Sequence, residues 1–523
     1  MTSVMAKPTR QSGKQSLADD YFIESLDAAH RVLGEAEKLT VEEPLDIVLD
    51  QPWEAEQTQF SPAVYDESTG RFRLYYSAWI DGEQLICALD SDDGLSWERP
   101  SLGLVEWGGS KGNNITNCPR GGLMVFYDPH TTDAAHRWKR IDNKPTGAAA
   151  DGSPVWRAFH STDGYDWQPY AQGGHSDQRM LFNFGSPSET FGGVIDPDAR
   201  FVYYSQRGSG RRTRILGRRD SADGLNWSGL RTVIDQDLDD EPGTEFYAAG
   251  FDVANRTDGG LHVLMLHTFL TDLSEPYAIA DPEKYWGKEE SGPSAVAARV
   301  DGYVDTQLAV SRDTVSWTRY RQPFLPRGVP GAWDGGMLYG DGPILHDDRL
   351  WLFYSACQQS HNGRGHRGGD PPYVKNKSWG KGVATLRPDG WAHIEATSFA
   401  PGRLTTHRFR QESGGHIFVN VDAAAGELCY ELLQDTGAPI PGFGLAECDP
   451  IRSDTLSAEL SWNGKSGWPA RGDWRPPGCE NLSRSEFYVK LRFHIAPGTK
   501  LYSLTLDPPE VAIWGAAVPG RLD

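Results

Sequence analysis

The stretch Ser91-Asp92-Asp93-Gly94-Leu95-Ser96-Trp97 recurs along the chain as Ser-x-Asp-Gly-x-x-Trp, and that recurrence decides the reading of the fold. It returns at Ser161-Thr162-Asp163-Gly164-Tyr165-Asp166-Trp167 and at Ser221-Ala222-Asp223-Gly224-Leu225-Asn226-Trp227. A fourth copy, Ser311-Arg312-Asp313-Thr314-Val315-Ser316-Trp317, has Thr314 in place of the glycine, and a fifth is shortened to Arg387-Pro388-Asp389-Gly390-Trp391. The copies start 70, 60, 90 and about 76 residues apart. Asp-Gly places a left-handed residue in a tight turn, the Asp side chain caps nearby amides, and the Trp packs back between sheets. Each copy follows an alternating, strand-like run: 84–89, 155–160, 213–218, 306–310 and 382–386. A stronger strand pair split by a turn precedes each run, as in 61–65 then 71–78, or 343–345 then 350–355. Four strands per unit and five units predict an all-β chain whose residues 46–400 form a five-bladed β-propeller, the catalytic domain. The repeated Asp and Trp residues argue fold, not chemistry.

After Pro401 the motif stops. Residues 401–523 carry strand-like runs separated by Gly, Pro and Asp turns, which predicts a separate C-terminal β-sandwich. Residues 1–45 read as an N-terminal arm packing on the propeller, with 23–38 open between helix and extended chain.

Composition narrows the function. With 72 acidic against 51 basic residues the formal charge is −21, so a protein that tracks nucleic-acid phosphates is excluded. The most apolar stretch, 261–270, holds two histidines and is far short of the roughly 20 residues of a membrane-spanning helix, so no membrane partner is expected. The opening residues contain no apolar run of signal-peptide length, which predicts a cytoplasmic protein. Six cysteines with no Cys-x-x-Cys pair read as buried, reduced thiols rather than a disulfide scaffold or zinc cluster.

In a propeller the loops leading into the first strand of each blade form the mouth of the funnel. That geometry nominates Asp50, Trp53 and Glu54 in blade one, Glu189 in blade three, and Glu245 and Tyr247 in blade four. Blade five adds Trp333, Asp334 and Asp341. Converging carboxylates repel one another and shift each other's proton affinities, and glycoside hydrolysis needs such a pair: an acid for the leaving oxygen, and a nucleophile or base. Tryptophan and tyrosine between them would stack on sugar rings. His361, in a glycine-rich loop, is a candidate donor to sugar hydroxyls, and the long segment 269–293 a candidate lid. No metal site is expected from the His spacing and no organic cofactor is required, although a funnel of this kind is compatible with a structural calcium ion.

The chain also resembles bacterial glycosyl-hydrolase-like proteins related to the five-bladed glycoside hydrolase families 32 and 43. The resemblance rests on Asp50-Gln51-Pro52-Trp53-Glu54, Asp93-Gly94-Leu95-Ser96-Trp97-Glu98, Gly109-Ser110-Lys111-Gly112-Asn113-Asn114-Ile115, Gly382-Val383-Ala384-Thr385-Leu386-Arg387-Pro388-Asp389-Gly390 and Phe418-Val419-Asn420-Val421-Asp422-Ala423. It implies an enzyme acting on fructofuranoside or arabinofuranoside oligosaccharides by hydrolysis or transglycosylation. Glu54 would be nucleophile or base, Glu245 the general acid with Glu189 its rival, and Asp334 would hold sugar hydroxyls and developing positive charge. The Asn-Asp-Pro of typical fructosidases is absent, replaced by Pro52-Trp53-Glu54, which points to a divergent specificity. The rival readings are a phosphorylase or lyase, for which Arg207, Arg211 and Arg212 would hold phosphate, and a non-catalytic carbohydrate-binding propeller.

Overall fold

The computed structural model describes residues 13–54, 59–80, 83–118, 125–128, 131–141, 147–148, 154–155, 158–170, 191–195, 201–208, 214–222, 228–229, 231–251, 261–271, 302–360, 379–410, 415–434, 436–467, 488–507 and 512–514. Among them the chain is all-β, and its helices are two single 3-10 turns, Pro52–Glu54 and Ala134–His136.

Antiparallel meanders follow one another along the chain. The first contains Gln59–Phe60, Val64–Asp66, Arg71–Ile80 and Glu83–Ser91; the second Val125–Tyr127, Trp138–Ile141, Ala158–Ser161 and Gln168–Pro169. The third contains Phe191–Ile195, Phe201–Gly208, Arg214–Ser221 and Arg231–Ile234, and the fourth Thr244–Phe251, His262–Thr271, Gly302–Ser311 and Thr318–Leu325. Met337–Gly340, Ile344–His346, Arg349–Cys357 and Trp379–Leu386 make the fifth, which one parallel bridge, Val304 to Met337, joins to the fourth.

Gln59–Phe60 and Val64–Asp66 pair with one strand, as do Met337–Gly340 and Ile344–His346, and each couple counts as a single interrupted first strand. The repeated motif then ends or follows the third strand of its meander, and its geometry is local. Asp93 Oδ1 accepts from the amides of Leu95 (2.8 Å) and Ser96 (2.7 Å), and Ser91 Oγ accepts from Gly94 N at 2.8 Å. Asp163 and Asp313 repeat the pattern on their own following amides. The third residue of the turn is left-handed: φ is +72° at Gly94, +78° at Gly164 and +61° at Thr314, where a β-branched residue takes a conformation that normally favours glycine. The glycine matters for packing as well as for φ. A Cβ on Gly164 would lie 2.6 Å from Tyr75 Oη.

These turns also dock. The second meander's turn rests on the first, where Tyr75 Oη donates to Gly164 O at 2.8 Å. The fourth rests on the third through Tyr204 Oη to Thr314 O, also 2.8 Å. The first rests on the fifth, Trp97 meeting Phe353 edge-on at 6.1 Å. These three turns therefore seat on the second strand of the preceding meander, the first of them on that of the fifth.

Twelve of the remaining strands form two six-stranded sheets. One contains Lys14–Ser16, Ala29–Leu33, Ala392–Ala396, His416–Asp422, Asp454–Glu459 and Lys500–Asp507; the other Ile23–Asp27, Gly402–Thr406, Arg408–Arg410, Leu428–Gln434, Val489–Ile495 and Ala512–Trp514. They share one core, in which Phe22, Leu404, Phe409, Val419, Leu491 and Phe493 are buried together. The N-terminal stretch therefore differs from an arm lying on a finished domain. It is extended, not helical, and supplies three strands to these sheets before Glu37–Lys38 pairs with the fifth meander at Ala384 and Thr385. It also grips the meanders, through Arg312 to both carboxylate oxygens of Asp19 (2.7 and 2.9 Å) and Lys14 to Asp389 (2.9 Å). The strand Ala392–Ala396, placed before residue 401 and so with the propeller by the sequence reading, pairs instead with Ala29–Leu33.

Candidate active site

Antiparallel order brings the start of a meander's first strand, the end of its second and the start of its third to one end of the sheet. At that end of the third, fourth and fifth meanders a carboxylate, a guanidinium and a row of rings come together. Glu245 Oε2 accepts from Arg214 Nη1 at 2.7 Å and from the Arg214 amide at 3.4 Å. Glu245 Oε1 has no partner among the described residues, and the side chain keeps 16% of its surface open. The Arg214 guanidinium lies over Tyr247 (5.2 Å) and Phe269 (5.3 Å), a cation–π arrangement. Tyr247 meets Tyr339 at 6.0 Å and Tyr339 meets Trp379 at 5.6 Å, so the rings continue from the fourth meander onto the fifth.

Beneath them His267 is buried. Its Nε2 lies 2.8 Å from Gly340 O, a pure acceptor, so Nε2 carries the proton, and its ring stands edge-on to Tyr339 at 5.0 Å. Burial pushes the His267 imidazole down to about 4, opposed by the bond to Gly340. It is therefore neutral at pH 7 and serves as a floor under Tyr339.

The other nominated residues sit elsewhere. Glu54 closes the 3-10 turn with no exposed side-chain surface. It accepts from Arg99 Nη2 (2.7 Å), Arg99 Nε (3.0 Å), the Gln51 amide (2.9 Å) and the Tyr76 hydroxyl. Trp53, beside it, donates from Nε1 to Asn114 Oδ1 at 3.2 Å and packs in the core shared by the first and fifth meanders. Asp50 is exposed and takes a bond from the Gln51 side chain. Asp334 is buried and ion-paired with Lys38 at 2.7 Å, while Trp333 stacks on Tyr354 at 5.7 Å and donates to Thr40 O. Both are held by the N-terminal segment. Asp341 is buried against Lys381 (2.5 Å) and the Ala63 amide (3.1 Å), and Lys381 also donates to Ser61 O (2.9 Å). Burial raises the Asp341 carboxyl and lowers the Lys381 ammonium, and each opposes the shift of the other. This pair fastens the fifth meander to the first. Glu189 and His361 lie outside the described residues, as does 269–293 beyond Thr271.

Of the nominated set, then, Glu245 and Tyr247 are brought together. Arg214 and Trp379 were not nominated, because only residues ahead of or early in first strands were considered; Tyr339, within such a strand, was passed over, and Phe269 entered only as the first residue of the candidate lid. The signal was present in the strand pattern. Arg214 and Trp379 start third strands, and third strands begin at the same end as first strands.

A separate cleft of about 480 Å3 lies between the fifth meander and the core of the two packed sheets, lined by Glu37, Asp348, Arg349, Arg387 and Asp454 among others. It has no aromatic residue in its lining, and Arg387 is already committed to Asp454 (2.6 Å), Asn420 (2.7 Å) and Thr455 O (2.7 Å). It offers no ring to stack on a sugar. Among the described residues no group of three or more His, Cys, Asp or Glu is placed to hold a metal ion.

No protein-family model and no curated protein sequence matches the chain. Solved structures do. One, from work on the GH130 family of mannoside phosphorylases and its glycoside hydrolases that target β-1,2 mannosidic linkages in Candida mannan, is 15% identical, with a TM-score of 0.36 over 68% of this chain and 95% of its own. The α-L-arabinofuranosidase PaAbf62A from Podospora anserina is 12% identical, with a TM-score of 0.37 over 68% of this chain and 99% of its own. The catalytic domain of a Coprinopsis cinerea GH62 α-L-arabinofuranosidase is 13% identical, with a TM-score of 0.38 over 68% and 98%. Glycoside hydrolases are thus what the chain is similar to, in its sequence motifs and among solved structures alike, and at these identities and scores neither family membership nor an activity passes to it.

Proposed function

We propose that the five meanders are the blades of one closed propeller, that the two packed sheets are its accompanying β-sandwich, and that the chain is a carbohydrate-active enzyme. In this reading it is a glycoside hydrolase or transglycosylase acting on furanoside-containing oligosaccharides, with no organic cofactor. The observation that carries the reading is Glu245: a carboxylate held on one oxygen by Arg214, with the other unpartnered among the described residues, beside Tyr247, Tyr339 and Trp379. Rings of this kind give a sugar an apolar surface to lie on, and a carboxylate with a free acceptor oxygen can attack an anomeric carbon or take a proton from water. Accepting from Arg214 suits Glu245 to the role of nucleophile or base rather than the general acid expected from the sequence. Glu54 and Asp334 are walled in by ion pairs, so the proton donor comes from another segment, and Glu189 is the candidate already singled out.

Arg214 also gives a second reading some footing. If the guanidinium releases Glu245 when substrate binds, it can hold an inorganic phosphate, and the enzyme would be a phosphorylase. Reducing-sugar release from fructofuranosides, arabinofuranosides, xylosides and short fructans, with and without phosphate, tests both. Glu245→Gln is expected to lose about 10²- to 10⁴-fold in turnover, and Glu54→Gln to stay active. Phosphate-dependent turnover would select the phosphorylase. Full activity in Glu245→Gln would sink the site assignment, and no turnover of any glycoside by wild type would sink the enzyme reading.

A further inference from the structure

Of the described cysteines, Cys87, Cys118 and Cys357 are buried, as the sequence suggests, but Cys429 and Cys448 are free thiols that keep part of their surface open. They meet at the edge of the strand Leu428–Gln434, which the following segment, 438–451, closes. The amides of Leu428, Leu432 and Gln434 donate to Ile451 O (2.9 Å), Phe443 O (2.9 Å) and Ala438 O (2.8 Å), and Ile451 N returns a bond to Leu428 O at 3.0 Å. Every second amide of an edge needs such an acceptor. The amide of Tyr430, in the middle of the row, donates to a sulfur instead, Cys448 Sγ at 3.3 Å.

That bond sets the sulfur beside Cys429. Tyr430 N is two covalent bonds from Cys429 Cα, so Cys448 Sγ lies within about 6 Å of that carbon. The two thiols are hydrogen-bonded, Cys429 as donor and Cys448 as acceptor, and the Cys429 hydrogen is shared with Glu427 Oε1 at 3.3 Å. Burial, helped by Glu427, pushes the Cys429 thiol up to about 12. Burial raises the Cys448 thiol as well, opposed by the Tyr430 amide, which favours its thiolate. Sulfurs in hydrogen-bond contact reach bonding distance by side-chain rotation, while the bonds at Leu428 and Ile451 keep the backbone in place.

We propose that Cys429 and Cys448 are a site of reversible oxidation, forming an intrachain disulfide by exchange with a low-molecular-weight disulfide such as oxidised glutathione. The Cys448 thiolate attacks one sulfur of the reagent, which forms a mixed disulfide and releases one glutathione thiol. The Cys429 thiolate then attacks Cys448 Sγ and displaces the second. The two protons and two electrons given up by the cysteines end on the two released thiols, and one S–S bond remains in the protein. It closes a loop of about 20 residues and fastens 438–451 to the strand.

The test incubates the full, folded chain with mixtures of oxidised and reduced glutathione in mildly alkaline buffer, blocks the remaining thiols and digests without reduction. Residues 411–451 contain no Lys or Arg, so a Glu-specific protease, cutting after Glu431 and Glu447, is needed to part the two cysteines. Wild type is expected to yield residues 428–431 crosslinked to the peptide that begins at Cys448. Cys429→Ser and Cys448→Ser should yield no such crosslink, their melting temperatures in reducing buffer reporting that they fold. In urea the same equilibrium should favour the disulfide about 10²-fold less, the ratio by which closing a loop of this size stabilises a fold. The proposal is overturned if folded wild type yields no crosslink between Cys429 and Cys448, if either pairs with another cysteine instead, or if the bond forms as favourably in urea as in the folded chain.

Discussion

Two carboxylate–cation pairs join first-strand and third-strand residues of the meanders, and they have opposite fates. Asp341 and Lys381 are sealed: Lys381 has no exposed side-chain surface, and its remaining donors go to Ser61 O across the join with the first meander and to Ser355 Oγ on the neighbouring strand. Glu245 and Arg214 keep part of their surface, bind through one carboxylate oxygen, and stand among rings. The sequence reading nominated both from their place at the funnel mouth, Glu245 as general acid and Asp341 as a substrate-binding residue. The contrast teaches that a carboxylate at the end of a meander is structural when neighbouring meanders meet over it, and open to chemistry when they part.

Breaking the sealed pair gives the largest expected effect. Lys381→Met leaves Asp341 buried without its counter-charge and should cost about 3–5 kcal/mol in urea unfolding, while Asp341→Leu with Lys381→Met should recover most of it. A single variant as stable as wild type would show that the join does not depend on the pair.

Acid attacks the floor under the open pair. His267, and His262 on the same strand, are held by burial at about 4 against an ordinary 6.5. Between those values the unfolded chain binds protons that the native chain refuses. Stability contributed by each is present above pH 6.5 and lost as the pH falls towards 4, about 3 kcal/mol per histidine. Unfolding free energies measured across that window should fall with this slope, and His267→Phe should remove about half of it; an unchanged slope would break the link between His267 and the mouth.

Glu54→Gln sharpens the comparison from the side of the sealed groups. It removes charged hydrogen bonds to Arg99 and should cost about 1–3 kcal/mol of stability, with turnover kept. Lost turnover at unchanged stability would move Glu54 into the chemistry. The smallest stability effect belongs to Glu245→Gln, under about 1 kcal/mol for a partly exposed pair, so that its loss of activity separates cleanly from folding. A large destabilisation would put Glu245 with the sealed pair.

Much of the fold was legible because its signals are short-ranged. Asp93, Asp163 and Asp313 cap amides two and three residues ahead, and alternating strands announce themselves by period two. The N-terminal strands were harder to read. Their partners lie more than 350 residues on, as in Ile23 with Thr406 and Lys14 with Thr505, and nothing local in 14–33 names them. The site was half legible. Glu245 and Tyr247 followed from their place at a first strand, while Arg214, Tyr339 and Trp379 needed the packing of the third and fifth meanders against the fourth to bring them alongside.

The sequence by itself determined the all-β class, the repeated turn and the set of carboxylates from which a site could be drawn, since those depend on contacts within a few residues. Only the tertiary structure decided which carboxylate stays open. Lys38 reaches Asp334 from 296 residues away, Arg99 reaches Glu54 from 45 and Lys381 reaches Asp341 from 40. A buried charge persists only where a partner is delivered to it, and that delivery is a property of the packed fold rather than of any stretch of the chain.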